Sequence, residues 1–306
     1  MKTQLPSSIN RRQFLGGAAA LTASAFLPQS LLAGGLAGPL KGVNLGVITY
    51  SFRSMPGSAE DLLGYLTRLG LTTVELMGDP IEAFVGAPAP PKDAADRQAY
   101  AEELSKWRLG APMDRFKLLR KKYQAEGVKI EIAKFRLDHR MSDAEIDYCF
   151  AAAKLLGARG ITIERSDETA QRLGPFADKH KRLVGYHNHA RVAFNSWDQH
   201  LADARYNALN LDVGHYIAGT NESPIPLLKK YPDRILGLHL KDRKFNDGPN
   251  MPWGQGDTPL AEVLRLLRDE KHKFIAAIEL EYPIPEGSDA VTEVGKCIAF
   301  CQEALG

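Results

Sequence analysis

Five short segments of the chain carry side chains that can ligate a cation or move a proton. They are Glu164, then His187-Asn188-His189, then Asp212 with His215 three residues on, then His239 with Lys241 and Asp242, and last Glu279 with Glu281. Carboxylates and imidazoles are costly to bury unless they are paired or bound to a cation. A set of them converging on one point would therefore be stabilised by one divalent metal ion. Mixed oxygen and nitrogen ligation suits Mn, Co or Zn, and Mg less clearly. An ion so held polarises a carbonyl and its neighbouring hydroxyl, which is the chemistry of taking a proton from the carbon beside a carbonyl. Rival chemistries lack their parts. No Gly-x-Ser-x-Gly elbow follows an apolar run, and none of Cys149, Cys297 and Cys301 stands at one of these segments, which disfavours a thiol nucleophile.

What positions the five segments is a regular alternation of short Val- and Ile-rich runs with helical patterns, beginning at Gly42. The runs read as strands over 45–50, 73–77, 129–133, 160–164, 183–189, 208–212, 235–240 and 274–280. Helix-like stretches such as 59–69, 142–156 and 260–270 separate them. Strand–helix alternation implies a parallel sheet, and eight units imply closure into a single-domain (β/α)8 TIM barrel. An open doubly wound sheet would want a Gly-rich phosphate turn after an early strand, and none follows Tyr50 or Met77. In a barrel the C-terminal strand ends face the active-site mouth, and each of the five segments closes a strand. Alternation puts His187 and His189 on one face, and Glu279 and Glu281 likewise. Glu75 and Glu281 read as supporting or salt-bridging carboxylates. Residues 78–111, with Pro-rich 88–91, are too long for an ordinary connection and read as an excursion over the mouth, helical over 96–107. The three cysteines read as small apolar fillers, since an i,i+4 pair such as Cys297 and Cys301 has poor disulfide geometry.

At these residues the chain resembles the xylose-isomerase-like TIM-barrel superfamily of sugar phosphate isomerases and epimerases, to which endonuclease IV also belongs. The matching segments are Gly46-Val-Ile-Thr-Tyr-Ser-Phe52, Tyr186-His-Asn-His189, Leu211-Asp-Val-Gly-His215, Leu238-His-Leu-Lys-Asp242 and Gly254-Gln-Gly256. The resemblance spans residues 42 to 304. It implies one metal ion held by an acid on strand five, an Asp on strand six, a His on strand seven and a Glu on strand eight. Asp212, His239 and Glu279 match. His187 stands where many relatives have Glu, so His187, His189 and Glu164 compete for the fourth place. Endonuclease IV needs a histidine in the loop after strand seven, and residues 245–257 have none.

The expected function is metal-dependent sugar isomerisation or epimerisation, through proton abstraction next to a carbonyl and a metal-stabilised enediolate. His189 or Glu164 would take the proton and Glu279 or His215 would return it. Lys241 would bond a substrate oxygen unless it is spent on Asp242, with Lys134 a second candidate for that role, and Trp253 would either stack on the sugar or serve in packing. A leaving group beta to the carbanion would turn the same machinery into a lyase acting on 3-keto-glycosides. A non-catalytic periplasmic sugar-binding protein is the third reading. No arginine cluster at the later strand ends announces a phosphate site.

The N-terminus reads as an export signal. Asn10-Arg11-Arg12-Gln13-Phe14-Leu15 is a twin-arginine pair before an Ala-rich run, with small residues at Ala33, Gly35 and Ala37 for cleavage. That divides the chain into a signal over 1–37 and a barrel domain over 38–306, exported to the periplasm without a membrane span. Losing the signal's three basic residues from 39 leaves 36 Lys and Arg against 37 Asp and Glu, which argues against a nucleic-acid partner. The expected partner is a small carbohydrate; self-association into a homo-oligomer is compatible with this reading.

Overall fold

The computed structural model describes residues 38–91 and 93–306; the signal over 1–37, with its proposed cleavage positions, lies outside them. Eight strands form a closed parallel barrel. They are β1 (Leu45–Ile48), β2 (Thr73–Met77), β3 (Lys129–Lys134), β4 (Gly160–Glu164), β5 (Leu183–His187), β6 (Asn207–Asp212), β7 (Ile235–Leu240) and β8 (Ile275–Ile278). Each pairs with its neighbours in chain order, and β8 closes on β1 through Leu45↔Ala276 and Val47↔Ile278.

Local signals set the helices between the strands. Ser58 and Asp61 form a reciprocal capping box on helix Ala59–Leu69, and Ser142 and Glu145 repeat it on Asp143–Leu156. Such caps satisfy backbone donors that the helix start leaves open, each typically contributing ~1 kcal/mol. Both helices stop at a glycine in the left-handed region, Gly70 and Gly157.

The strand sequence sorts residues by period two. Outward positions such as Val74, Leu76, Ile161, Ile163, Leu209, Leu211, Leu238 and Leu240 pack with the helices in the main core. Inward positions change character from bottom to top. The lower interior is a small apolar cluster of Ile48, Ile132, Ala208, Leu236, Ile275 and Ala277. Gly237 makes room for it, because a Cβ there would lie 2.9 Å from Ile132 Cδ1 and 3.0 Å from Ile275 Cγ2. Higher along the strands the interior becomes polar: Glu75, Thr162, His187, Asn210 and His239 are all buried.

Within residues 78–111 the expected helix over 96–107 is present as Arg97–Leu109, after a shorter helix, Gly78–Val85. No described residue of the segment lines the cavity described below, and the longer helix packs beside Asp143–Leu156 instead. Its anchor is Arg108, 6% exposed, which donates to both carboxylate oxygens of Glu82 at 2.8 and 3.1 Å and lies 3.8 Å from Glu145. Tyr148 donates to the same Glu82 at 3.1 Å. A buried charge pair held this way ties the segment to the side of the barrel. Cys149, Cys297 and Cys301 are buried free thiols.

Candidate active site

The upper interior opens into a cavity of about 260 Å³ lined by Ile48, Tyr50, Met77, Lys134, Glu164, His187, His189, His215, Lys241, Glu279 and Glu281. At its floor, one ligand atom each from His187, Asp212, His239 and Glu279 lies within 4.8 Å of all the others. Strand register brings them together, since Asp212 pairs with His239 and His239 with Ala277, two residues before Glu279. Asn188 fixes the junction of β5 and β6: its Oδ1 accepts from Asp212 N at 2.9 Å and its Nδ2 donates to Asp212 O at 3.1 Å. That exchange takes over from the strand ladder and explains why β5 ends at His187, short of the expected His189.

The floor is buried, and its carboxylates face two cationic side chains. His239 Nδ1 faces Glu279 at 3.1 Å, and its Nε2 faces Glu75 at 2.9 Å. Burial opposes the charge of His239, but the two carboxylates outweigh it and carry its pKa up to about 10. Lys241 Nζ sits among Asp212 (2.9 Å), Glu279 (2.7 Å) and Glu281 (2.5 Å). Burial works against Glu279's charge too, yet Lys241 and His239 hold its pKa well below the ordinary range. Burial pushes Asp212 up to about 7 against the pull of Lys241. His187, buried and next to His239, is kept neutral with its pKa well below the usual imidazole value.

The Lys241 ammonium lies 2.9 Å from Asp212 Oδ2. His187 Nδ1 is buried without a hydrogen bond. Buried polar atoms are rarely left so. Two imidazoles and two carboxylates within reach of one point fit a borderline divalent ion. His239 also has the carboxylate behind the ring that orients ligating histidines, here Glu75. Glu75 is itself held by the Thr162 hydroxyl at 2.6 Å.

The wall is built differently. Glu164 accepts from Lys134 Nζ at 2.9 Å through one oxygen and meets His189 Nε2 at 2.9 Å through the other. Partial burial opposes the charge of Glu164, and His189 and Lys134 overcome it to bring its pKa down to about 2. The Glu164 hydrogen bond raises His189 above the ordinary imidazole value. His215 is placed between two cations: Lys241 Nζ is 3.0 Å from Nε2 and Arg243 Nη1 is 2.6 Å from Nδ1. Burial and Lys241 lower its pKa to about 2, so at neutral pH it is a poor proton donor.

Position decides two alternatives that the sequence left open. Lys241 does not bond Asp242, whose carboxylate instead accepts from Gly254 N, Gly256 N and Thr258 N, at 2.8, 2.8 and 3.1 Å. Trp253 does not line the cavity; its ring stands edge-on to Phe300 at 5.7 Å. The aromatic that does face the cavity is Tyr50, 39% exposed, with Arg53 packed over its ring at 4.6 Å. Its place just past the end of β1 was the available signal.

A model of the TAT (twin-arginine translocation) pathway signal sequence matches residues 8–28, so the chain carries a signal for export by that pathway. Among the described residues no helix is long and apolar enough to cross a membrane. The chain is 28% identical over 134 residues to an inosose dehydratase of Clostridium beijerinckii, covering 42% of this chain and 37% of that protein. It thus spans just over a third of the length of that curated relative. Among solved structures it is similar to a xylose isomerase domain protein from Alicyclobacillus acidocaldarius, with TM-score 0.62, 14% identity, and 85% and 99% of the two chains covered. It is also similar to a sugar phosphate isomerase/epimerase from Parabacteroides distasonis, with TM-score 0.59, 19% identity, and 84% and 93% covered. At these identities the likeness is one of fold: the chain has the xylose-isomerase-like TIM-barrel fold.

Proposed function

We propose that this chain is an exported sugar-modifying enzyme that removes a proton beside a carbonyl, with isomerisation or epimerisation as its reaction. The observation that carries this reading is the convergence of His187, Asp212, His239 and Glu279 beneath a cavity whose wall holds the Glu164–His189 pair. In this reading the export signal is residues 1–37, the working unit is 38–306, and the destination is the periplasm.

His187, Asp212, His239 and Glu279 would hold one divalent ion, with Mn, Co, Zn and Mg the candidates. When bound, such an ion supplies Lewis acidity toward a carbonyl and its neighbouring hydroxyl. The rest falls to the chain's own side chains. His189, open to the cavity and tied to Glu164, takes the substrate proton while Glu164 steadies the imidazolium. Lys241 and Lys134 offer ammonium donors to the oxygens of the enediolate. Glu279, ionised at rest, relays a proton from the Lys241 ammonium 2.7 Å away to the opposite face. His215 serves to orient Lys241. Tyr50 takes the stacking role first given to Trp253. Groups of this acid–base type are each worth about 10²–10⁴-fold in rate.

A second reading, loss of water or an aglycone from the carbon beta to the carbanion, is favoured by the sequence relative being a dehydratase. The test is incubation of metal-loaded protein with a panel of keto-sugars, 3-keto-glycosides and inososes in D₂O. Deuterium at the α-carbon with the skeleton intact is the expected result. Release of water or aglycone would establish the lyase, and the absence of both deuterium and product across the panel would leave a binding protein.

A further inference from the structure

Beyond the histidines the cleft continues into a second chamber, of about 450 Å³. It shares Glu164, His187, His189 and His215 with the first cavity and adds Arg165, Arg191 and Arg243. The expected absence of an arginine cluster is thereby overturned. The three come from loops after β4, β5 and β7, so nothing in their spacing along the chain announces that they meet.

The charges there do not cancel. Glu164 is engaged by Lys134 and His189, and Asp247 by Arg243 at 3.1 Å. Arg165 makes one side-chain bond, from Nη2 to the carbonyl of Arg191 at 3.3 Å. Among the described residues neither Arg165 nor Arg191 meets a carboxylate. Arg243, 8% exposed, is fixed by bonds to Gly248 O and His215. The loop carrying Arg191 is also held firmly. Ala190 O presses so close to Gly219 that a Cβ on that glycine would lie 1.7 Å from it.

We propose that this chamber receives an oxyanion carried on the far end of the sugar, a carboxylate or a phosphate monoester. Guanidinium groups offer forked donors that match such anions two bonds at a time. A neutral second sugar would leave both free arginines without their acceptor. The inference deepens the reading above and rests on it, because the sugar's reacting end is taken to sit over Asp212 and Glu279.

The experiment is calorimetric titration of the full-length, Mn-loaded protein with D-glucose, D-glucuronate and D-glucose 6-phosphate. At least one acidic sugar is expected to bind tenfold or more tightly than D-glucose, and the one that does so identifies carboxylate or phosphate. That ratio is expected to shrink with added salt and to fall at least tenfold in the Arg165→Gln/Arg191→Gln double variant. Equal affinity for all three sugars, or an unchanged ratio in the double variant, overturns the proposal. The underlying reading fails separately: a wild type that retains no Mn while still preferring acidic sugars would sink the metal site and leave the anion chamber standing.

Discussion

At the floor of the cavity Asp212 and His239 have no exposed side-chain surface, whereas on its wall Glu164 and His189 keep 54% and 65% of theirs open. The residue types are the same, a carboxylate and an imidazole in each place. Burial alone gives them different work. On the floor, charges cannot be screened by water, so every carboxylate needs a cation within about 3 Å, and Lys241 and His239 supply two positive charges where a divalent ion would bring the same total. On the wall, water shares the screening, and a proton can arrive and leave.

The largest expected break in this comparison is Asp212→Ala. After loading and desalting, the variant should carry only background metal by elemental analysis, and turnover should fall to background with it. The metal reading is falsified if wild type and variant retain equally little ion. Next is Glu164→Gln on the wall, which should cost about 10²–10⁴-fold in turnover while metal affinity stays put. A parallel loss of metal would show that Glu164 belongs with the floor. Glu75→Gln should weaken metal binding about 10–100-fold, the usual effect of losing the partner behind a ligating histidine, measured by competition with a chelator.

The two regions should also part company in pH. His239 has its folded pKa raised to about 10 from 6.5, so in metal-free protein its contribution to stability is complete below pH 6.5 and is lost as pH rises through 10. Glu164 is lowered to about 2 from 4.5, so its contribution is present above 4.5 and is lost as pH falls toward 2. Urea titrations of chelator-treated protein from pH 6 to 10 should show declining stability, with the decline flattened in His239→Gln; a rise over that range would contradict the assignment. The smallest effect expected is local. A Cβ on Gly214 would lie 2.4 Å from Lys241 Cγ and 2.7 Å from Lys241 O. Gly214→Ala should therefore cost about 1–3 kcal/mol by overpacking, read as a lowered urea midpoint.

Much of this was legible from residue order because a strand repeats every two residues. The eight runs and the facing of His187 and His189 follow from that period; which of His187, His189 and Glu164 lies with Asp212, His239 and Glu279 did not. Strand ends were less so, since side chains decide them. Ser51 accepts from Leu280 N at 3.0 Å and donates to Ile278 O at 3.2 Å, so β1 gives way to a short helical turn and β8 stops at Ile278. What could not be read were meetings between distant loops. Arg108 finding Glu82, Lys241 finding three carboxylates and the arginines sharing a chamber depend on the closed barrel, and no local pattern encodes them.

The three thiols lie buried and unjoined, so the described fold requires no oxidant to mature. A chain of this kind can finish folding in the reducing interior of the cell, and the twin-arginine route accepts cargo already folded. The competition among metals for the four ligands would then be decided before departure, by the intracellular supply and not by whatever ions abound outside. Protein isolated from the cytoplasm of a transport-defective strain should accordingly hold the same ion as the exported form.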